Sequence, residues 1–106
     1  LMEIMTTISE MDSLMATAWA SKKLSVIATG SSSPCLDLRR INDDLAEACK
    51  DVDFVLLEGM GRAIHTNYNA RFSCESLKIA VFKSADTAME FGALMYDAMI
   101  LYEEGQ

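Results

Sequence analysis

Basic residues are scarce in this chain. Nine Lys and Arg stand against sixteen Asp and Glu, a net charge of −7. That balance excludes general binding to nucleic acid or to an anionic membrane surface, because both partners carry the same sign as the protein. Long apolar runs are also missing. The longest are about four residues, such as Phe54-Val55-Leu56-Leu57, far short of the roughly 20 that a membrane helix requires. No basic segment leads into an apolar stretch with a small-residue cleavage site, so a secretory leader is not expected. The three cysteines (Cys35, Cys49, Cys74) are an odd number with no C-x-x-C pair and no companion histidine spacing. This excludes a disulfide framework and a zinc site, and the expected setting is reduced and cytoplasmic. Repeats, low-complexity tracts and a Gly-Lys-Ser/Thr phosphate loop are likewise lacking, so kinase chemistry is not expected of these residues. The first residue is Leu1, inside an apparent helix, and the chain is expected to be a piece of something longer.

What is present is ordinary globular material: 51% hydrophobic and 24% charged residues over 106 positions. That length corresponds to about one small domain, so residues 1–106 are expected to form a single partial domain. Leu1, Ile4, Met5, Ile8, Met11, Met15 and Trp19 recur at three- and four-residue steps and mark one helical face. Asp12-Ser13 is the expected break in it. Leu24–Thr29 reads as a buried strand ended by Gly30-Ser31-Ser32-Ser33-Pro34, with Ser33 and Pro34 opening a helix. Ile41–Lys50 reads as a helix capped by Asn42 or Asp43, with Leu45 and Ala48 inward. Asp53–Leu57, Leu77–Phe82 and Tyr96–Tyr102 read as further strands, with a helix from Ala85 to Phe91 that stops at Gly92. Continuous apolar strands alternating with helices predict an α/β fold with a parallel sheet covered by helices on both faces, a three-layer α/β/α arrangement. Ligands in such sheets bind beyond the carboxyl ends of the strands. Three loops leave those ends: Gly30–Pro34, Glu58–Asn69 and Lys83–Asp86.

Each loop carries candidate groups. In the first, Ser31 and Ser32 offer hydroxyl and backbone donors to an anion, although an ordinary strand-to-helix turn uses the same residues. In the second, Gly59 and Gly61 allow a close backbone approach and are followed by Arg62, His65, Thr66, Asn67 and Asn69. The dinucleotide-binding fingerprint fails there, with Ile64 at the third glycine position and Lys83 where an acid belongs. A solvated loop with glycines at its turns is the competing account. From Gly59 to Lys78 the chain carries Arg62, Arg71, Lys78 and His65, with Glu75 as the sole acid, a basic island in an acidic chain. Lys78 lies within an apolar strand, where a charge needs a partner or a ligand. It reads either as a phosphate ligand or as a strand-end lysine reaching water. Asp37 and Glu58 lie near strand ends, where carboxylates serve as caps or as ligands. No spacing resembles a complete metal site.

Three ordered stretches go further: Thr29-Gly-Ser-Ser-Ser-Pro-Cys-Leu-Asp-Leu38, Leu57-Glu-Gly-Met-Gly-Arg-Ala-Ile-His-Thr-Asn-Tyr68 and Cys74-Glu-Ser-Leu-Lys-Ile-Ala-Val81. Together they resemble the C-terminal part of the metal-dependent damage-control phosphatase domain, in the branch fused to pantothenate kinases, over nearly the whole chain. The resemblance implies an α/β/α domain that hydrolyses small phosphate monoesters with a divalent metal, Mg²⁺ or a transition ion. The implied substrates are 4′-phosphopantetheine and related coenzyme A pathway metabolites. It casts Lys78 as the phosphate-binding, catalytic lysine, and Gly59, Gly61, Arg62, His65 and Asn67 as the substrate-pocket loop, with Asp37 at its edge. The metal ligands it implies, an Asp-Asn pair and a second Asp, fall upstream of Leu1, so this chain is expected to lack them and to be inactive alone. Leu101 departs from the lysine that relatives tend to carry there. The implied partners are a phosphate ester, the rest of the parent domain and a fused pantothenate kinase domain. The rival account is a non-catalytic half-domain that binds a phospholigand or assembles through an open sheet edge, as a homo-oligomer or a domain-swapped pair.

Overall fold

Leucine and methionine at helical spacing build two short helices at the start of the chain, α1 (Met2–Met11) and α2 (Ser13–Ala20). The computed structural model, which describes residues 1–106, breaks them at Asp12, as the sequence predicts. Asp12 is extended (φ −136°, ψ 118°) and serves both helices. Its N–H donates to the Ile8 carbonyl, and its carboxylate accepts from the Met15 N–H at 2.9 Å. The pair packs on itself and on no other helix or strand. Of its apolar stripe only Met5 is buried, while Leu1, Ile4 and Met11 are exposed. Helices this short gain most of their stability from tertiary packing. In hydrogen-exchange mass spectrometry, Met2–Ala20 is therefore expected to exchange at least tenfold faster than Glu75–Val81; equal protection would contradict this packing.

The sheet has three strands in the order β1-β2-β3: β1 (Phe54–Glu58), β2 (Glu75–Val81) and β3 (Ala98–Glu103). β1 and β2 are parallel, with Leu57 opposite Lys78. β3 runs antiparallel to β2, with Leu101 opposite Lys78, so the sheet is mixed and not the all-parallel one expected. The reason is where the link turns back. It holds one short helix, α4 (Ala85–Glu90), and closes at the carboxyl end of β2, where Phe82 exchanges backbone hydrogen bonds with Tyr96 and Asp97. The chain therefore enters β3 from the end of the sheet that β2 has just reached and runs back antiparallel.

Two further expectations are corrected. Leu24–Thr29 is not a strand of this sheet. Its backbone has no ladder partner, and the outer edge of β1 stays open. Pro34 opens no helix either. The Ser33 hydroxyl oxygen instead accepts the Cys35 N–H at 3.1 Å, a local turn that competes with helix formation. The helix α3 (Asp43–Ala48) is capped by Asn42, whose side chain accepts the Leu45 N–H; Leu45 is half-buried, but Ala48 is exposed.

The core lies on one face of the sheet. Leu57, Ala80 and Phe82 meet Ala63, Ile64 and Ala88 there, with Phe91 and Tyr68 packed edge to face at 5.1 Å between ring centres. On the opposite face Phe54, Leu56, Ile100 and Tyr102 are exposed. The second helical layer is therefore not formed by these residues, and 11 residues in all are buried.

Candidate functional site

The site begins where β1 ends. Gly59 sits at φ 99°, a region that side-chain-bearing residues rarely adopt, and its N–H extends the ladder to the Ile79 carbonyl. The chain then winds into a wide π-helix, Met60–Thr66, where the sequence predicts an irregular loop. The Thr66 hydroxyl closes a five-residue step by donating to the Gly61 carbonyl at 2.6 Å. A β-carbon on Gly61 would lie 3.1 Å from Cys35 Sγ and 3.3 Å from the Pro34 carbonyl oxygen. The absence of a side chain thus seats the Ser-Pro loop directly on the π-helix. The Met60 sulfur in turn accepts the Lys83 N–H at 3.0 Å. The three loops expected to hold a ligand accordingly meet around the π-helix.

A cleft of about 380 Å³ opens beside it, lined on one side by Asp37, Leu38 and Arg39 and on the other by residues 64–70. This volume falls in the range of small-molecule sites. Asp37, His65 and Asn67, all singled out in the sequence, are brought together here. Asn67 is nearly buried, and its carboxamide is committed to the protein. Oδ1 accepts the Leu38 N–H, and Nδ2 donates to the carbonyls of Leu36 and Arg62. It clamps the two walls together and has no group left for a ligand. His65 and Asn69 are exposed and line the cleft.

Asp37 is gripped by a residue that sequence reasoning passed over. Arg39 donates from its backbone N–H, Nε and Nη2, forming a fork at 2.9–3.0 Å. These hydrogen bonds, the guanidinium contact foremost, lower the Asp37 carboxyl to about 2 from its ordinary 3.8. The folded form is thus favoured by this pair above pH 3.8, and that contribution is lost as pH falls through about 2. A carbon-13 titration of the Asp37 carboxyl is expected to show a midpoint near 2, returning toward 3.8 in Arg39→Ala. A wild-type midpoint near 3.8 would show that the fork does not form.

Lys78 differs most from expectation. It is fully buried, and its three ammonium protons go to the Tyr68 and Ala70 carbonyls, each at 2.7 Å, and to Glu103 Oε2 at 2.9 Å. Burial, and secondarily the nearby Arg71 guanidinium, push its pKa below the ordinary value. Arg71 pairs with the other Glu103 oxygen. One acid from β3 thus pairs with two cations of the basic island, and all three Lys78 protons are taken by protein partners. Ser31 and Ser32 are exposed and outside the cleft, and the Ser31 hydroxyl oxygen accepts the Ser33 N–H. Arg62 is exposed on the π-helix and forms no ion pair; the same holds for Lys83 at the carboxyl end of β2. In the sequence Lys83 breaks the dinucleotide fingerprint and opens the Lys83–Asp86 loop, and its place after a parallel strand is a signal for a ligand-facing cation. No group of three or more His, Cys, Asp or Glu side chains is arranged to hold a metal ion, so the divalent metal implied by the resemblance does not fit these residues alone.

The sequence that builds this cleft matches known proteins. Residues 2–99 match the damage-control phosphatase ARMT1-like domain, and the chain belongs to that family. It is 49% identical to pantothenate kinase 2 of Arabidopsis thaliana, over 78% of this chain and 9% of that protein. It is 40% identical to damage-control phosphatase At2g17340 of the same plant, over 81% of this chain and 23% of that protein. Against the 4′-phosphopantetheine phosphatase of Mus musculus the identity is 32%, over 91% of this chain and 18% of that protein. The chain spans less than a quarter of the length of each of these relatives.

Proposed function

We propose that this chain forms the substrate-binding part of a phosphatase domain acting on small phosphate monoesters, with 4′-phosphopantetheine or a related coenzyme A pathway metabolite as substrate. The polar cleft between Asp37–Arg39 and the segment that follows the π-helix, with His65 and Asn69 exposed along it, carries this reading. Family membership and the names of the relatives support it. In the reaction, water adds to phosphorus while the ester P–O bond breaks, releasing an alcohol and inorganic phosphate. This chain's share is to bind and orient. Arg62 and Lys83 supply the cations for the phosphate, and His65 and Asn69 hydrogen-bond the organic portion. The Asp37–Arg39 pair forms the rim. The divalent metal and its carboxylate ligands would come from outside these residues, which hold no group of three or more His, Cys, Asp or Glu side chains arranged for a metal.

Two-dimensional NMR of the chain with added 4′-phosphopantetheine tests the proposal. Saturable shifts at His65, Asn69 and Lys83 are expected, without release of phosphate in the presence of Mg²⁺ or Mn²⁺. Absence of saturable shifts overturns the binding role; turnover by this chain alone overturns the division of labour. The second reading, assembly without catalysis, draws on the exposed apolar sheet face of Phe54, Leu56, Ile100 and Tyr102.

A further inference from the structure

We propose that Ser33 is a phosphorylation site for a proline-directed serine/threonine protein kinase, and that the phosphate it gains pairs with Arg62. Pro34 is the one proline in the chain, so Ser33-Pro34 is its single serine- or threonine-proline step. Proline leaves no N–H after the serine, and a proline-directed kinase selects for this because its substrate groove offers that N–H no acceptor. Ser31, Ser32, Ser33 and Pro34 are all exposed and lie outside helix and strand. The Ser33 hydroxyl oxygen accepts the Cys35 N–H at 3.1 Å and leaves its own proton uncommitted. Backbone bonding also favours access. From Ser25 to Leu36 no backbone group hydrogen-bonds another backbone group. Side chains hold the segment at its margins, Asn42 donating to the Ala28 carbonyl and Asn67 to the Leu36 carbonyl. The Ser-Pro step can therefore extend into a kinase groove without breaking a ladder or a helix, the low-cost kind of local opening.

The surroundings decide what the modification does. Ser33 Oγ attacks the γ-phosphorus of ATP, and the bond from that phosphorus to the bridging oxygen breaks. ADP leaves, and the hydroxyl proton passes to a base of the kinase. The phosphoserine carries a charge of about −1.5 to −2 at neutral pH and three acceptor oxygens. The loop that bears it rests on the π-helix, where a β-carbon on Gly61 would meet the Pro34 carbonyl oxygen at 3.3 Å and Cys35 Sγ at 3.1 Å. Arg62 comes next, exposed and free of ion pairs. Its backbone is fixed, because its carbonyl accepts Asn67 Nδ2 at 2.9 Å, while its guanidinium is left to turn toward the loop. Guanidinium and phosphate form paired, charge-assisted hydrogen bonds, the strong kind. In the reading proposed above, Arg62 is one of two cations for the ligand phosphate, so a phosphate on Ser33 occupies it and lowers ligand affinity. Only this last consequence rests on that reading.

The experiment incubates the full chain with a cyclin-dependent kinase and ATP and locates the product by peptide mass spectrometry. One phosphoryl group on Ser33 is expected. Incorporation is expected to be roughly tenfold or more slower in Pro34→Ala, which restores the N–H that the kinase groove cannot satisfy. No incorporation, incorporation at another serine, or equal rates in the two proteins overturns the kinase assignment. Phosphorus-31 NMR of the modified chain reads the pairing. The second pKa of the phosphate, about 6 when unpaired, is expected to be lowered and to return in Arg62→Gln. A midpoint that Arg62→Gln leaves unchanged overturns the pairing with Arg62. By titration calorimetry, the modified chain is expected to bind 4′-phosphopantetheine several-fold more weakly than the unmodified one, and equal affinity overturns the competition for Arg62. If the unmodified chain binds no 4′-phosphopantetheine, the substrate reading fails, while the rate of incorporation and the phosphorus titration still decide the role of Ser33.

Discussion

Glu103→Ala is expected to lower the folding free energy by about 3 kcal/mol, because removing one partner of a buried ion pair strands the other charge. Lys78 is fully buried and Glu103 nearly so, and Glu103 also neutralises Arg71. The stranded ammonium would keep its two carbonyl acceptors but lose the only carboxylate within reach. With just 11 buried residues, such a loss is a large fraction of what holds the sheet together. Urea denaturation followed by circular dichroism measures it, and Glu103→Gln is expected to lose less than half as much. A midpoint for Glu103→Ala within error of the parent's would show that the ammonium reaches water.

Asn67→Ala should cost about 2–3 kcal/mol, since each buried backbone group left without a partner costs about 1–3 kcal/mol and partial solvation recovers some of it. The carboxamide serves the Leu38 N–H and the Leu36 and Arg62 carbonyls, groups that join two segments some thirty residues apart. The substitution is therefore expected to do more than destabilise. The Cys35–Arg39 segment should lose its protection in hydrogen exchange before the sheet does. Asn67→Asp separates the two halves of the clamp, because aspartate still accepts from Leu38 but cannot donate to the carbonyls. Protection at Leu38 is expected to survive in Asn67→Asp and vanish in Asn67→Ala. Equal loss in both would mean that the donated bonds carry the clamp.

Much of the local structure was legible in the residues themselves. The break at Asp12, the Asn42 cap and the stop before Gly92 follow from side-chain and backbone preferences that act within four residues. The apolar runs at 54–57 and 77–81 are strands as expected, although only β2 lies mid-sheet and β1 is an edge that leaves Phe54 and Leu56 exposed. The family, too, was readable, since three ordered motifs along one chain do not depend on how the chain folds. The placing of the cleft beside the segment that leaves β1 followed from the general rule for α/β sheets.

Tertiary structure decided the rest. Leu24–Thr29 has the composition of a strand, but a strand exists only where another backbone offers its hydrogen-bonding edge, and none does so here. The direction of β3 depended on where the link closed, and Phe82 closes it on Tyr96 and Asp97 at the carboxyl end of β2. The π-helix arose where Gly61 let the Ser-Pro loop press against it, a contact between residues 34–35 and 61 that no local pattern announces. Above all, the sequence marked Lys78 as a charge in need of a partner without saying which. Glu103, 25 residues away, met it only when β3 paired with β2. Short-range preferences are written in neighbouring residues, but the partner of a buried charge is chosen by whichever strand the sheet places beside it.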